Sequence, residues 1–229
     1  MKLSNQILRL SSWSGLAGFI NVALLALLYL YLTHHLTQIA FGIYALASSV
    51  IMIGVALIEN SFSLNLIRKE KLDEQDYEAV LVLNFLTSCL SATFIISITF
   101  LIQKIYEIEN AVAIVATLLP ILFLVAFNAP HLAGLKRHLL FKKLAIFDLI
   151  CLGISVITII ILVHLNYTYW ALIFGLVVKY LVGTLLILFT RSTFCKSILK
   201  FNNPRIKEHF RFGKYILLEK SLTSVISYL

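Results

Sequence analysis

Between residues 13 and 190 the sequence is a succession of six apolar blocks, each of about 20 residues or more, joined by short polar links. At a rise of 1.5 Å per residue, a helical block of that length crosses a hydrocarbon layer about 30 Å thick. Water is therefore not the main solvent of this chain. Of its 229 residues 60% are hydrophobic and 13% charged, and its mean hydropathy is +0.95. Soluble domains carry about a quarter charged residues. The fold class read from this pattern is all-α: a polytopic membrane protein with a six-helix transmembrane bundle plus the start of a seventh helix.

The blocks fall at about 13–32, 40–67, 80–102, 111–129, 144–163 and 170–190. The second is longer than one crossing needs, so it must tilt or extend beyond the bilayer. Pro120 should bend the fourth, which is expected to end at Pro130. Tyr167, Tyr169 and Trp170 suit an interfacial belt at the start of the sixth. The organisation expected is a first bundle over 1–190, a basic cytoplasmic linker over 191–214, and a second bundle that begins at 215 and stops short at 229.

Charge sets the orientation. Sixteen of the 19 Lys and Arg lie on the pieces assigned to the inner side, and one, Lys104, lies on an outer loop. This is a positive-inside bias that places the N-terminus in the cytoplasm. Residues 130–148, with Lys136, Arg137, Lys142 and Lys143 between two apolar blocks, form the central inner link. The net charge of +8 is spread over such links, with no aromatic-basic platform or zinc spacing, so no nucleic-acid partner is expected. The first block lacks a small-residue cleavage site and is read as a retained helix.

Signatures of catalysis are missing. The sequence has no G-x-S-x-G, no Gly-rich phosphate loop and no His-Glu-x-x-His, and it shows no cofactor motif. Cys89, Cys151 and Cys195 are isolated and are read as free thiols. The histidines divide between loops, and the adjacent His34 and His35 cannot readily chelate one ion from a helix, so no metal site is expected. The acids from Asp73 to Glu78 are interleaved without a partner histidine. They read as a solvated turn whose acids favour the next helix start. The pattern points to a conduit and not to an enzyme.

Ionisable residues inside spans are the functional candidates. Lys179 lies about 13 Å into the sixth block, near the midplane, where a lysine costs roughly 3 kcal/mol to insert. It either draws an anionic group such as a phosphate into a cavity or serves packing as a paired or snorkelling side chain. Glu59, roughly 12 Å from the inner end of the second block, suits proton or cation coupling, or else pairs with Lys179. Asp148 lies near the inner interface, within reach of water, Lys142 and Lys143, and a structural role is the favoured reading of it. Asn21, Asn84, Ser88 and Asn128 can bond across helices for about 1 kcal/mol each. Gly15 and Gly18, with Ser11, Ser12 and Ser14, form a small-residue face suited to close helix contact.

Four stretches carry a family resemblance. Ala-Phe-Gly-Ile-Tyr-Ala-Leu at 40–46 looks like a Phe-Gly-x-Tyr-Ala element opening a second helix, and Leu-Ile-Arg-Lys-Glu at 66–70 like its charged end. Arg137, Phe141, Lys142 and Ala145 fit an Arg-x-x-x-Phe-Lys-x-x-Ala link, and residues 210–215 resemble a Phe-Gly element before a seventh helix. In order and spacing these resemble the polysaccharide and O-antigen flippase family, within the superfamily that also holds multidrug exporters.

That resemblance implies a carrier of two six-helix bundles, working by alternating access in the bacterial inner membrane for O-antigen, capsule or other surface polysaccharide synthesis. Its substrate would be a lipid-linked oligosaccharide of the undecaprenyl-diphosphate type. Membrane lipids and polysaccharide assembly proteins would be its partners. Lys179, Arg137 and Lys142 would meet the phosphates, and Glu59 and Asp148 would couple ions. This sequence departs from the pattern in holding only the first bundle and the start of the second. Alternating access needs both halves, so the expectation includes a longer chain, a second copy, or an inactive fragment. The rivals are a multidrug exporter, which would prefer cavity acids over a cavity lysine, and a non-transporting membrane partner of an assembly complex.

Overall fold

The computed structural model describes residues 2–60, 62–69, 72–106, 110–189, 205–207 and 209–211. Every regular element among them is an α-helix: α1 (Lys2–His35), α2 (Gln38–Asn60), α3 (Ser63–Arg68), α4 (Glu74–Tyr106), α5 (Ala111–Leu118), α6 (Pro120–Arg137), α7 (Phe141–His164) and α8 (Thr168–Phe189). Residues 205–207 and 209–211 are helical as well. Among the described residues six stretches are long and apolar enough to cross a membrane, with α2 and α3 sharing one and α5 and α6 another. In hydrocarbon a backbone must satisfy its own polar groups, and helices do this within one segment. The linker and seventh-helix expectations fall mostly outside the described residues.

Both composite spans break for local reasons. Pro120 has no N–H, so the Ala116 carbonyl loses its regular partner and takes the Leu119 N–H instead at 3.3 Å. The long second block does not continue as one tilted helix. It is interrupted after Asn60, and α3 begins beyond Phe62.

Pro130, by contrast, does not end a helix. It lies inside α6, buried, and the helix continues to Arg137. The reason is tertiary: α6 is packed by α2, α3, α4, α5, α7 and α8, and this surrounding contact outweighs one missing hydrogen bond. The link read over 130–148 thus contracts to His138, Leu139 and Leu140. Its turn closes with Leu139 N–H bonded to the Lys136 carbonyl and Leu140 N–H to the Leu135 carbonyl, each at 3.0 Å. This is a Schellman cap with Leu139 at φ 55°. Asn166, at φ 65°, closes α7 in the same way.

The main core joins α2, α4, α5, α6 and α8 around Ile51, Ile58, Leu118, Ile121, Leu122 and Ile173. A second cluster fixes α1 on α7 and α8 through Leu28, Leu32, Ile159 and Val163. Outside, Phe19, Leu90 and Phe94 are between 66% and 73% exposed. An exterior this apolar suits acyl chains. Gly15 and Gly18 do not make the close helix contact expected of them, since a Cβ at either meets nothing within 4 Å among the described residues. The packing of α1 is instead made by its Ala17, Leu28 and Leu32 positions.

Candidate functional site

Helix α8 lies against α7 along a seam opened by two glycines. Ser155 Oγ donates to the Gly175 carbonyl at 2.8 Å, and a Cβ on Gly175 would stand 2.2 Å from Ile159 Cγ1. A Cβ on Gly183 would be 3.6 Å from Cys151 Sγ and 3.9 Å from Asn128 Nδ2, where α6 joins the seam. Lys179 is four residues from each glycine and so shares their face of α8. It is half-buried, one turn of α8 from the place where Cys151 of α7 and Asn128 of α6 approach.

The charge of Lys179 acts on both carboxylates singled out from the sequence, Glu59 of α2 and Asp148 of α7. Lys136, in the last turn of α6, acts on the same two. Glu59 and Asp148 also repel each other. Lys136 and Lys179 thus both lie within electrostatic reach of Glu59 and Asp148, and the four groups come from four helices. Glu59, Asp148 and Lys136 are exposed despite their apolar helices. Among the described residues no contact ion pair joins any two of the four, and Glu59 is not tied to Lys179.

Their formal charges balance, two positive and two negative. Neutralising either carboxylate leaves the group net positive. The other face of α8 is quite different. There Val177, Leu181 and Thr184 line a cavity of about 1100 Å³ with Phe85, Phe123 and Phe127. This cavity is therefore mostly apolar and lies on the face of α8 away from Lys179.

Of the neutral polar residues expected to bond across helices, Asn128 and Asn84 do so. Asn128 Nδ2 donates to Thr184 Oγ1 at 3.0 Å and Asn84 Nδ2 to Ser63 Oγ at 3.3 Å, while Ser88 is satisfied within α4 by the Phe85 carbonyl. The side-chain oxygens of Asn21, Asn84 and Asn128 are buried without a hydrogen-bond partner among the described residues. Cys151 is buried and Cys89 exposed, both as free thiols. Cys195 lies outside the described residues.

At the end of the bundle that carries the basic residues, Arg137 reaches α3. Its Nη1 donates to the carbonyls of Leu66 at 3.0 Å, Ile67 at 3.5 Å and Lys69. These are the open carbonyls of a helix C-terminus, which a cation caps favourably. Lys142 is exposed near the start of α7, and Lys143 Nζ stands 5.7 Å over the Phe147 ring.

The acidic run from Asp73 to Glu78 is solvated only in its first half: Asp73, Glu74 and Gln75 are exposed and Glu74 opens α4 as expected, but the second half is not. Asp76 is fully buried and accepts from Lys69 Nζ at 3.0 Å, Arg205 Nη1 at 2.8 Å, His209 Nε2 at 3.1 Å and the Asp73 N–H at 3.0 Å. Glu78 is buried too. The histidine that the run seemed to lack in sequence is His209, whose Nδ1 takes the Asn65 amide at 2.8 Å. Arg205 also grips Asp73 at 2.7 Å, and the two carboxylates hold its guanidinium above its ordinary range. Sequence spacing could not show this, because the partners lie 133 positions apart.

At the opposite end, Tyr31 Oη and His164 Nε2 are 3.1 Å apart, and the His35 and His164 rings lie 6.0 Å apart between centroids. Histidines read as separate are thus neighbours across α1 and α7. Among the described residues, no group of three or more His, Cys, Asp or Glu could hold a metal ion.

A family model described as "Polysaccharide biosynthesis protein" matches residues 32–229. No curated protein and no solved structure matches the chain.

Proposed function

The chain belongs to the polysaccharide biosynthesis protein family, and we propose that it moves a lipid-linked oligosaccharide of the undecaprenyl-diphosphate type from the inner to the outer leaflet. The observation that carries this reading is the balanced group of Glu59, Asp148, Lys136 and Lys179 in an otherwise apolar bundle. Ionisable residues in apolar spans are costly and belong where a polar cargo passes. In this reading Lys142 and Lys136 meet the diphosphate at the mouth and Lys179 meets it deeper. The hydrocarbon tail lies on the apolar side of α8, where the large cavity is. Arg137 donates through Nη1 to the carbonyls of α3 and so positions that helix beside the mouth.

Charge balance gives the coupling. With both carboxylates ionised the group is neutral and has little pull on a diphosphate. A proton or cation at Glu59 or Asp148 leaves the two lysines in excess and admits the anion. Release follows when that charge departs. The chain acts as a carrier and not as an enzyme, with its N-terminus and basic end in the cytoplasm. Reporter fusions near Lys104 and near Lys142 test the orientation, and the two reporting the same side would overturn it.

Lys179→Ala should abolish surface polysaccharide while membrane abundance stays unchanged. Normal export by that variant would sink the lysine's role. The two exposed acids also suit a multidrug exporter for amphipathic cations. That reading predicts that Lys179→Ala leaves drug efflux intact while Glu59→Gln abolishes it.

A further inference from the structure

The short helix α3 is held from three sides. Asn84 of α4 donates to Ser63 at its start, Arg137 of α6 caps its end, and His209 takes the amide of Asn65 in its middle. The first two holds come from the bundle itself. The third comes from the segment that follows the bundle in sequence, and it depends on Asp76. This carboxylate orients His209 through Nε2, so the Asn65 contact at Nδ1 fits the tautomer that leaves Nδ1 as acceptor. Asp76 also fixes Arg205, one turn before His209, and Lys69, just past the end of α3. Phe210 stacks on Phe62 with centroids 6.4 Å apart, and Ile206 joins the apolar cluster around Phe62 and Leu66.

From this geometry we infer that Asp76 is a positioning residue. It locks the segment 205–211 onto α3, and that lock holds the α2–α3 break in the register that places Glu59 among its partner charges. Glu59 sits in the last turn of α2, and the break follows it directly. A displacement of the segment after the bundle therefore acts on α3 through the hydrogen bonds of Asp76 and His209, and α3 lies close in sequence to Glu59. This inference rests on the transport reading for its activity readout, but the lock itself can be measured without it.

The test uses the full chain with Cys89, Cys151 and Cys195 replaced by alanine. Asn65→Cys and His209→Cys are added, since the native side chains meet at 2.8 Å. Disulfide formation in membranes, scored by gel mobility, reads the lock directly. It should be at least 5-fold slower when Asp76→Asn is added, and equal rates would overturn the lock. For the consequence, Asp76→Asn alone should lower surface polysaccharide at least 10-fold at unchanged membrane abundance. The oxidised Asp76→Asn, Asn65→Cys, His209→Cys variant should recover at least half of the export, and reductant should abolish that recovery. Normal export by Asp76→Asn, or a cross-linked variant as silent as Asp76→Asn, would overturn the positioning role. The cross-linking rate is blind to what the chain carries, so failure of the lock and failure of the transport reading are separate results.

Discussion

The chain holds two groups of charged side chains built on opposite plans. Around Asp76 every charge is in contact: three cationic or imidazole partners and a backbone N–H converge on one carboxylate with no exposure to solvent. Around Lys179 the four charges act on one another at a distance, and no two of them touch among the described residues. A saturated cluster offers nothing to a ligand and resists change, because removing one partner of a buried pair leaves the rest uncompensated. A balanced cluster of charges that do not touch contributes little to stability and stays free to respond. On the proposed transport reading, the difference separates a part that holds shape from one that would handle cargo.

The sharpest way to break this comparison is to remove one charge from each group. Lys179→Ala should abolish export, the largest effect expected, while its thermal midpoint in detergent stays equal to the parent or rises. The reason is the roughly 3 kcal/mol that a lysine costs near the midplane, which alanine does not carry. Stability lost together with activity would mean that Lys179 is structural and that the two groups are alike.

Asp76→Asn should behave in the opposite sense. A fully buried pair broken on one side costs 3–5 kcal/mol, but Lys69 and Arg205 keep 23% and 29% of their side-chain exposure and so recover hydration. A local loss of about 2 kcal/mol is the expected size after that discount. It should show as faster tryptic cleavage at Arg205 and Arg211, with the six spans left intact. Glu59→Gln should leave that cleavage rate unchanged.

What was legible in the sequence follows the range of the interaction. The six spans and the break at Pro120 could be read because hydropathy and a missing N–H act within a few residues. The family was legible from the order of short elements, and the match over residues 32–229 bears it out. Glu59, Asp148 and Lys179 stood out because each is an ionisable residue in an apolar run, but Lys136 was hidden in the supposed link. Only the continuation of α6 through Pro130 places it in a last helical turn beside them. The tie between Asp76 and His209 had no local signal at all, and neither did the capping of α3 by Arg137 from 68 to 71 positions away.

The seam between α7 and α8 gives a finer test, because its two glycines differ in clearance. Gly175→Ala puts a Cβ 2.2 Å from a branched side chain that is itself buried, and overpacking of this kind costs about 1–3 kcal/mol. The helices must separate, and Lys179 moves with α8. Export should fall several-fold with a lower thermal midpoint. Gly183→Ala adds a Cβ at 3.6 Å from Cys151, an ordinary contact, and should leave both unchanged. Equal effects at the two positions would mean that the seam does not set where Lys179 stands.

The smallest effect belongs to the turn between the two groups. Leu139 closes α6 with φ 55°, a conformation that costs a residue with a Cβ about 1 kcal/mol. Glycine adopts it freely but loses more entropy on folding, which returns part of the gain. Leu139 is 56% exposed, so little apolar contact is lost with its side chain. Leu139→Gly should therefore raise stability by about 0.5 kcal/mol, read as a small upward shift in the thermal midpoint. The turn joins Lys136 at the end of α6 to the helix that bears Asp148. If relieving this strain also changed export, the link would be shown to set the spacing of those two charges; unchanged export would confine its role to closing a helix.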